Sequence, residues 1–261
     1  MSLNQPISDF KNKNIWLIGA SSGIGAACAK WFFAQGANLV LSARRTEPLE
    51  ALAKGVSNSA YIVPIDVCDQ QSIAQASKEV LTHLKRIDLL LFVSGVYEPV
   101  QANTLNYLTA KKMIDTNLLG PISVLEQLLP TFLAQQSGHI AIVGSVAGYS
   151  GLPKSLVYGP TKAAILNFAE SLYMDLSPQG IGVHVICPGF VSTPATAIND
   201  FKMPALISAD EAAKCIGQGL INGDFEIHFP KAFTFIMKTL RILPSSWYFK
   251  IVEKGMKKID Y

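Results

Sequence analysis

Residues 14–36 read NIWLIGASSGIGAACAKWFFAQG, and this stretch decides the fold. Asn14 to Ile18 is a short apolar run of strand type. Gly19-Ala20-Ser21-Ser22-Gly23-Ile24-Gly25 follows at once, and a helical pattern then runs to Gly36. A glycine-rich turn between strand and helix lets backbone N–H groups and the positive helix N-terminus face a pyrophosphate. The spacing is G-x-x-x-G-x-G rather than the commoner G-x-G-x-x-G. Such a turn can also merely close a tight βα connection. With the strand before it and the helix after it both legible, dinucleotide binding is the expectation, with Gly19, Ser21, Ser22, Gly23, Ile24 and Gly25 as contacts.

Strand and helix patterns alternate outward from this unit. Further strands are expected over 38–42, 60–65, 89–93, 138–144, 182–186 and 225–229. Thr46 with Pro48, Asp69, and the Ser208–Glu211 capping box open helices, and a long helix is expected over about 103–129. The order predicts an α/β class, a Rossmann-type doubly wound parallel sheet that binds ligands at the carboxyl ends of its strands. Asp66-Val67, Ser94-Gly95 and Pro188-Gly189 fall at such ends. Thr193, two residues beyond Val191, can hydrogen-bond an amide or a phosphate. Asp66 either accepts from an adenine amino group or caps its own turn. Residues 195–207 show no period and are expected to form a lid over substrate.

The second strand ends in Ser42-Ala43-Arg44-Arg45, with no acid. A carboxylate there would bond ribose hydroxyls and repel a 2′-phosphate, whereas guanidinium groups recognise it. NADP(H) is therefore expected over NAD(H), the alternative being an arginine pair on a solvated loop.

Tyr158 and Lys162 lie four apart on one face of a helix expected over about 155–176. An ammonium beside a phenol favours phenolate, moving its pKa down from about 10 towards a value useful for proton transfer. Ser145, at the end of the preceding strand, could donate to the same reacting oxygen. A helical Tyr and Lys can equally be a half-buried ring beside a solvated amine. Asn117 is a poor helix-interior residue, and its place before Gly120-Pro121 suggests a local distortion with a purpose.

Composition narrows the alternatives. At 261 residues, 49% hydrophobic and 16% charged, the chain has the make-up of a well-cored globular protein. A net charge of +3 gives no argument for nucleic acid. The polar N-terminus lacks the apolar centre of a signal peptide, and no apolar run reaches the roughly 18–20 residues of a membrane span. The four cysteines have no C-x-x-C spacing, so no metal site is expected and reduced thiols in a cytoplasm are the default. One domain over 1–229 is expected, extended by 230–261. That tail is aromatic and basic, with Lys231, Lys238, Arg241, Lys250, Lys254, Lys257 and Lys258 against Glu253 and Asp260. Two short helices parted near Pro244 are expected. Packing over the substrate mouth or a subunit interface is the stronger expectation, and peripheral docking on a membrane the weaker.

Over roughly residues 12–229 the chain resembles the short-chain dehydrogenase/reductase family. GASSGIG at 19–25, Asn117, Ser145, Tyr158, Lys162 and Pro188-Gly189 match its motifs in order and spacing. The resemblance implies hydride transfer between a nicotinamide and the carbonyl or alcohol carbon of a small molecule. Tyr158 would be general acid in reduction and base in oxidation. Lys162 would depress the Tyr158 pKa and bond the nicotinamide ribose, Ser145 would orient the substrate oxygen, and Asn117 would hold a water in a proton relay. Val191 and Thr193 match positions that contact the carboxamide. A homodimer or homotetramer is implied, and the tail weakly suggests a lipid-like substrate. Two departures touch scaffold bonds: Ile18 replaces the usual Thr, and Phe92-Val93-Ser94-Gly95 the usual Asn-Asn-Ala-Gly. A non-catalytic NADP(H)-binding sensor or scaffold is the competing class of function.

Overall fold

Branched and aromatic side chains fill both faces of the central strands, as a parallel sheet covered on both sides requires. The computed structural model describes residues 2–56 and 59–257, so Lys258 and Asp260 of the tail lie outside the described residues. Its strands are β1 (Asn14–Ile18), β2 (Asn38–Ser42), β3 (Ala60–Ile62), β4 (Leu89–Phe92), β5 (His139–Val143), β6 (Gly182–Pro188) and β7 (Glu226–Phe229). They form one sheet in the order β3-β2-β1-β4-β5-β6-β7, every pair parallel. The order reverses between β1 and β4, the switch point at which such sheets open a crevice.

Helices α1 (Gly23–Ala34), α2 (Glu47–Ala53) and α7 (Ala209–Asn222) cover one face. Ile15, Leu17, Phe32, Leu41 and Ile216 meet there. On the other face Trp16, Ile18, Leu128, Phe132, Ile165 and Leu172 join α3 (Gln70–His83), α5 (Gly120–Gln135) and α6 (Tyr158–Leu176). The alternation along β1 therefore sends its side chains to two cores.

Three boundaries differ from the sequence expectation. β3 ends at Ile62, although the Val63 and Ile65 amides still donate to the Leu41 and Ala43 carbonyls, at 3.1 and 3.2 Å, on either side of Pro64. The α6 helix begins at Tyr158 rather than near Ser155. The long helix of 103–129 is two helices with a wider turn between them. α4 (Tyr107–Ile114) starts where the Asn106 side chain accepts from the Leu108 and Thr109 amides. A π turn over Asp115–Leu119 then leads into α5, with the Gly120 N–H reaching back to the Asp115 carbonyl. Asp69 and Ser208 cap α3 and α7 as expected, whereas Thr46 stands before α2 without a side-chain capping bond.

The last helices, α8 (Lys231–Arg241) and α9 (Ser245–Lys257), part at Pro244 as the sequence predicts. They pack on the body: Thr234, Met237 and Tyr248 are buried, and the Tyr248 hydroxyl donates to the Gly151 carbonyl at 2.6 Å. Among the described residues no helix is long and apolar enough to cross a membrane.

Candidate active site

A cavity of about 580 Å³ opens at the carboxyl ends of the strands. Its floor is the glycine turn. Gly19 has φ +93°, and a Cβ there would stand 2.5 Å from the Ser94 nitrogen, so only glycine lets the ends of β1 and β4 approach this closely. The amides of Gly19 and Ala20 both donate to the Ser42 carbonyl, at 2.7 and 3.2 Å. Ser22 precedes α1 without a side-chain bond to its first turn, leaving that turn's N–H groups without a side-chain cap.

Gly19, Ser21, Ser22, Gly23, Ile24, Arg44, Arg45, Asp66, Val67, Ser94 and Gly95 line the cavity from the glycine turn across the β4 end. Ser145, Tyr158, Lys162, Pro188, Gly189, Val191 and Thr193 line the rest. Arg44 and Arg45 are exposed at the β2 end, with no carboxylate partner among the described residues. Asp66 accepts from the Cys68 amide at 3.0 Å, which is the turn-capping alternative, while still bordering the cavity.

Three expected residues stand elsewhere. Ser42 is fully buried beneath the cleft, where its hydroxyl accepts from Trp16 Nε1 at 2.8 Å. Its side chain supports the turn from below and does not border the cavity. Gly25 lies behind the turn against the Gly19 carbonyl, so it matters for helix packing. Asn117 sits in the π turn and is off the cavity wall. Its Oδ1 accepts from Val96 N at 2.8 Å, and its Nδ2 donates to Val96 O at 2.9 Å and to Thr161 Oγ1 at 3.2 Å. Both amide protons are thus committed to protein, and the side chain clamps the β4 loop to α6. The residue four ahead of Asn117 is Pro121, which cannot donate the helical bond its carbonyl would otherwise receive.

Ser145, Tyr158 and Lys162 come together on one wall. The Ser145 hydroxyl accepts from Ala147 N at 3.1 Å, and it borders the cavity together with Tyr158. Lys162 Nζ donates to the Val143 carbonyl at 2.8 Å and lies 5.7 Å from the Tyr158 ring centroid. Burial pushes the Tyr158 phenol up to about 12, against a smaller lowering by the Ser145 hydroxyl. Burial also pulls the Lys162 amine down to about 8. This corrects the expected depression of the phenol: the ammonium is desolvated along with it and bonds a carbonyl, so loss of water dominates both groups.

Sequence reasoning missed the far wall. Tyr97 meets Tyr158 edge-on, with ring centroids 5.0 Å apart and an interplanar angle of 73°. Phe190 and Phe201 pair at 5.7 Å, with Leu152 and Pro153 beside them on the lining. The only sequence signal was Phe190 shortly before the unpatterned 195–207 segment and Phe201 within it. That segment is tied down at its start, where the Thr196 hydroxyl donates to the Val191 carbonyl at 2.5 Å.

A family model described as short chain dehydrogenase matches residues 13–202. An uncharacterized oxidoreductase of Myxococcus xanthus is 30% identical over 242 residues, 92% of this chain and 96% of its own. Another, from Staphylococcus epidermidis, is 36% identical over 206 residues, 79% of this chain and 90% of its own. A short-chain dehydrogenase from Streptomyces avermitilis superposes with a TM-score of 0.79 at 21% identity, covering 95% of this chain and 98% of that one, which bears on the fold alone. With the sheet order, the glycine turn and the matched span in agreement, this chain belongs to the short-chain dehydrogenase family.

Proposed function

We propose that the protein is an NADP(H)-dependent reductase of a hydrophobic, lipid-like aldehyde or ketone, with alcohol oxidation as the reverse reaction. The observation that carries the reading is the convergence of Ser145, Tyr158 and Lys162 on one wall of a cavity floored by the glycine turn. Membership of the family implies a nicotinamide cofactor, and the residues fit one. The first turn of α1 has no side-chain cap and suits a pyrophosphate, and Gly23 has φ +53°, a backbone that side chains rarely adopt. Arg44 and Arg45 would hold a 2′-phosphate. When bound, the cofactor supplies or accepts a hydride.

The chain's own groups handle the proton. A phenol held near 12 is protonated at neutral pH, so Tyr158 serves as general acid to a carbonyl oxygen. Ser145, on the same wall as Tyr158, can donate to the same substrate oxygen. Lys162, protonated below about 8, stabilises the phenolate left after proton transfer. Leu152, Phe190 and Phe201 exclude water and favour an apolar substrate. The reading takes 1–229 as the catalytic domain and 230–261 as its extension. Exposed Tyr107, Leu108 and Met174 on α4 and α6 support a homo-oligomer.

The test is NADPH oxidation with a panel of hydrophobic aldehydes and ketones. Tyr158→Phe is expected to abolish turnover while NADPH binding, read by fluorescence titration, persists. Undiminished turnover in that variant removes the acid role.

A further inference from the structure

The tail helices have two unlike faces. Towards the body, α8 buries Thr234 and Met237, and Lys238 pairs with Glu226, which also accepts from the Tyr149 hydroxyl. Away from it, Phe235 and Ile236 are 57% and 59% exposed, Ile242 81%, Trp247 61% and Phe249 64%. Large apolar groups gathered within fifteen residues need a partner, since isolated exposure is common but a cluster is not.

Charge identifies the partner. Residues 230–261 hold seven Lys and Arg against two acids, a net +5, which leaves −2 for residues 1–229 of a +3 chain. A second copy meeting this face through a two-fold axis would bring the two cationic tails together. An anionic bilayer complements them. Trp247 and Phe249 beside Lys250 and Lys254 have the composition of a helix lying at headgroup level. We propose that the outer face of α8 and α9 docks on an anionic phospholipid surface. Phe233 of α8 lies 5.7 Å from Phe190 on the cavity wall, so the docked helices adjoin the cleft. The docking does not depend on the chemistry assigned to that cleft, and it is tested without turnover.

Because the tail packs on the body, the full chain is used rather than a truncation. Flotation with phosphatidylglycerol–phosphatidylcholine vesicles is compared with phosphatidylcholine vesicles alone. At least about tenfold stronger partitioning on the anionic vesicles is expected, weakening severalfold between about 50 and about 500 mM salt. The Phe235→Ser/Trp247→Ser double variant, checked for an unchanged melting curve, is expected to lose most binding. Lys250→Glu/Lys254→Glu, which leaves the apolar face intact, is expected to lose the preference for anionic lipid. Background partitioning on both vesicle types overturns the proposal. So does a concentration-dependent oligomer that the double variant dissociates, which would give the face to a second copy.

Discussion

The carboxyl and amino ends of the sheet both bury titratable groups, and burial dominates at each. At the carboxyl end it lifts Tyr158 to about 12 and lowers Lys162 to about 8. At the amino end it lowers His139 to about 4, helped by Lys13, and His184 to about 3, helped by His139. Their surroundings separate them. His184 Nδ1 lies 2.6 Å from the Asp224 carbonyl, which can only accept, so that nitrogen carries the proton. His184 Nε2 must then accept from His139 Nδ1 at 3.0 Å, and Asn4 closes the group by bonding both the N–H and the carbonyl of Val183. The histidine pair is a closed circuit of donors and acceptors, whereas the tyrosine hydroxyl borders a large cavity. A displaced pKa therefore marks burial in both places, and what sets Tyr158 apart is its position on the wall of a cofactor-sized cavity.

Several substitutions test that contrast, in descending order of effect. Lys162→Met should lower turnover by about a hundredfold or more, since the phenolate loses its cation. The same substitution reports on burial through stability. The Lys162 amine is depressed in the folded state, so the native chain gains stability relative to the variant as pH rises from about 8 through the unfolded value near 10.5. Urea unfolding across that range would show a constant difference if burial were not the cause. Arg44→Ala should raise the Michaelis constant for NADPH about tenfold and leave that for NADH nearly unchanged. A parallel rise for both cofactors would move Arg44 away from the 2′-phosphate.

At the amino end, His184→Asn should leave turnover near that of the native enzyme and change acid stability instead. Both histidines have folded values below the unfolded 6.5, so their contribution is complete above that pH and is lost as pH falls towards 4 and 3. The variant should lose less stability over that window in circular-dichroism titrations. The smallest effect is Ser42→Ala, which deprives the buried Trp16 indole of its acceptor. It should cost about 1–2 kcal/mol of stability, with the NADPH Michaelis constant within about twofold. A large rise would restore Ser42 as a cofactor contact.

Most of the fold was legible because it is written in local patterns. The apolar run of 14–18, the glycine turn and the boxed cap at Ser208–Glu211 each depend on neighbours in sequence. What escaped depends on distant partners. Nothing near Ser42 signals that an indole two strand positions away will claim its hydroxyl. Asn106 was a readable cap that the long apolar period concealed. The pairing of Tyr158 with Lys162 was legible as spacing, but its energetics were not, because the loss of water around both groups comes from chain folded over them. The Phe190 and Phe201 wall belongs to loops, where no period announces which side chains face inward.

The Asn117 clamp constrains how this enzyme can change its diet. Val96 is fastened to Thr161, whose own hydroxyl donates to the Tyr158 carbonyl at 2.8 Å. The loop that carries Tyr97 and the helix that carries Tyr158 are thus tied to each other through Asn117. A bulkier ligand that displaced Tyr97 would be expected to shift Tyr158 with it. Room for a bulkier substrate is expected where Leu152 and Phe201, which take no part in the clamp, can be trimmed with Tyr158 left in place.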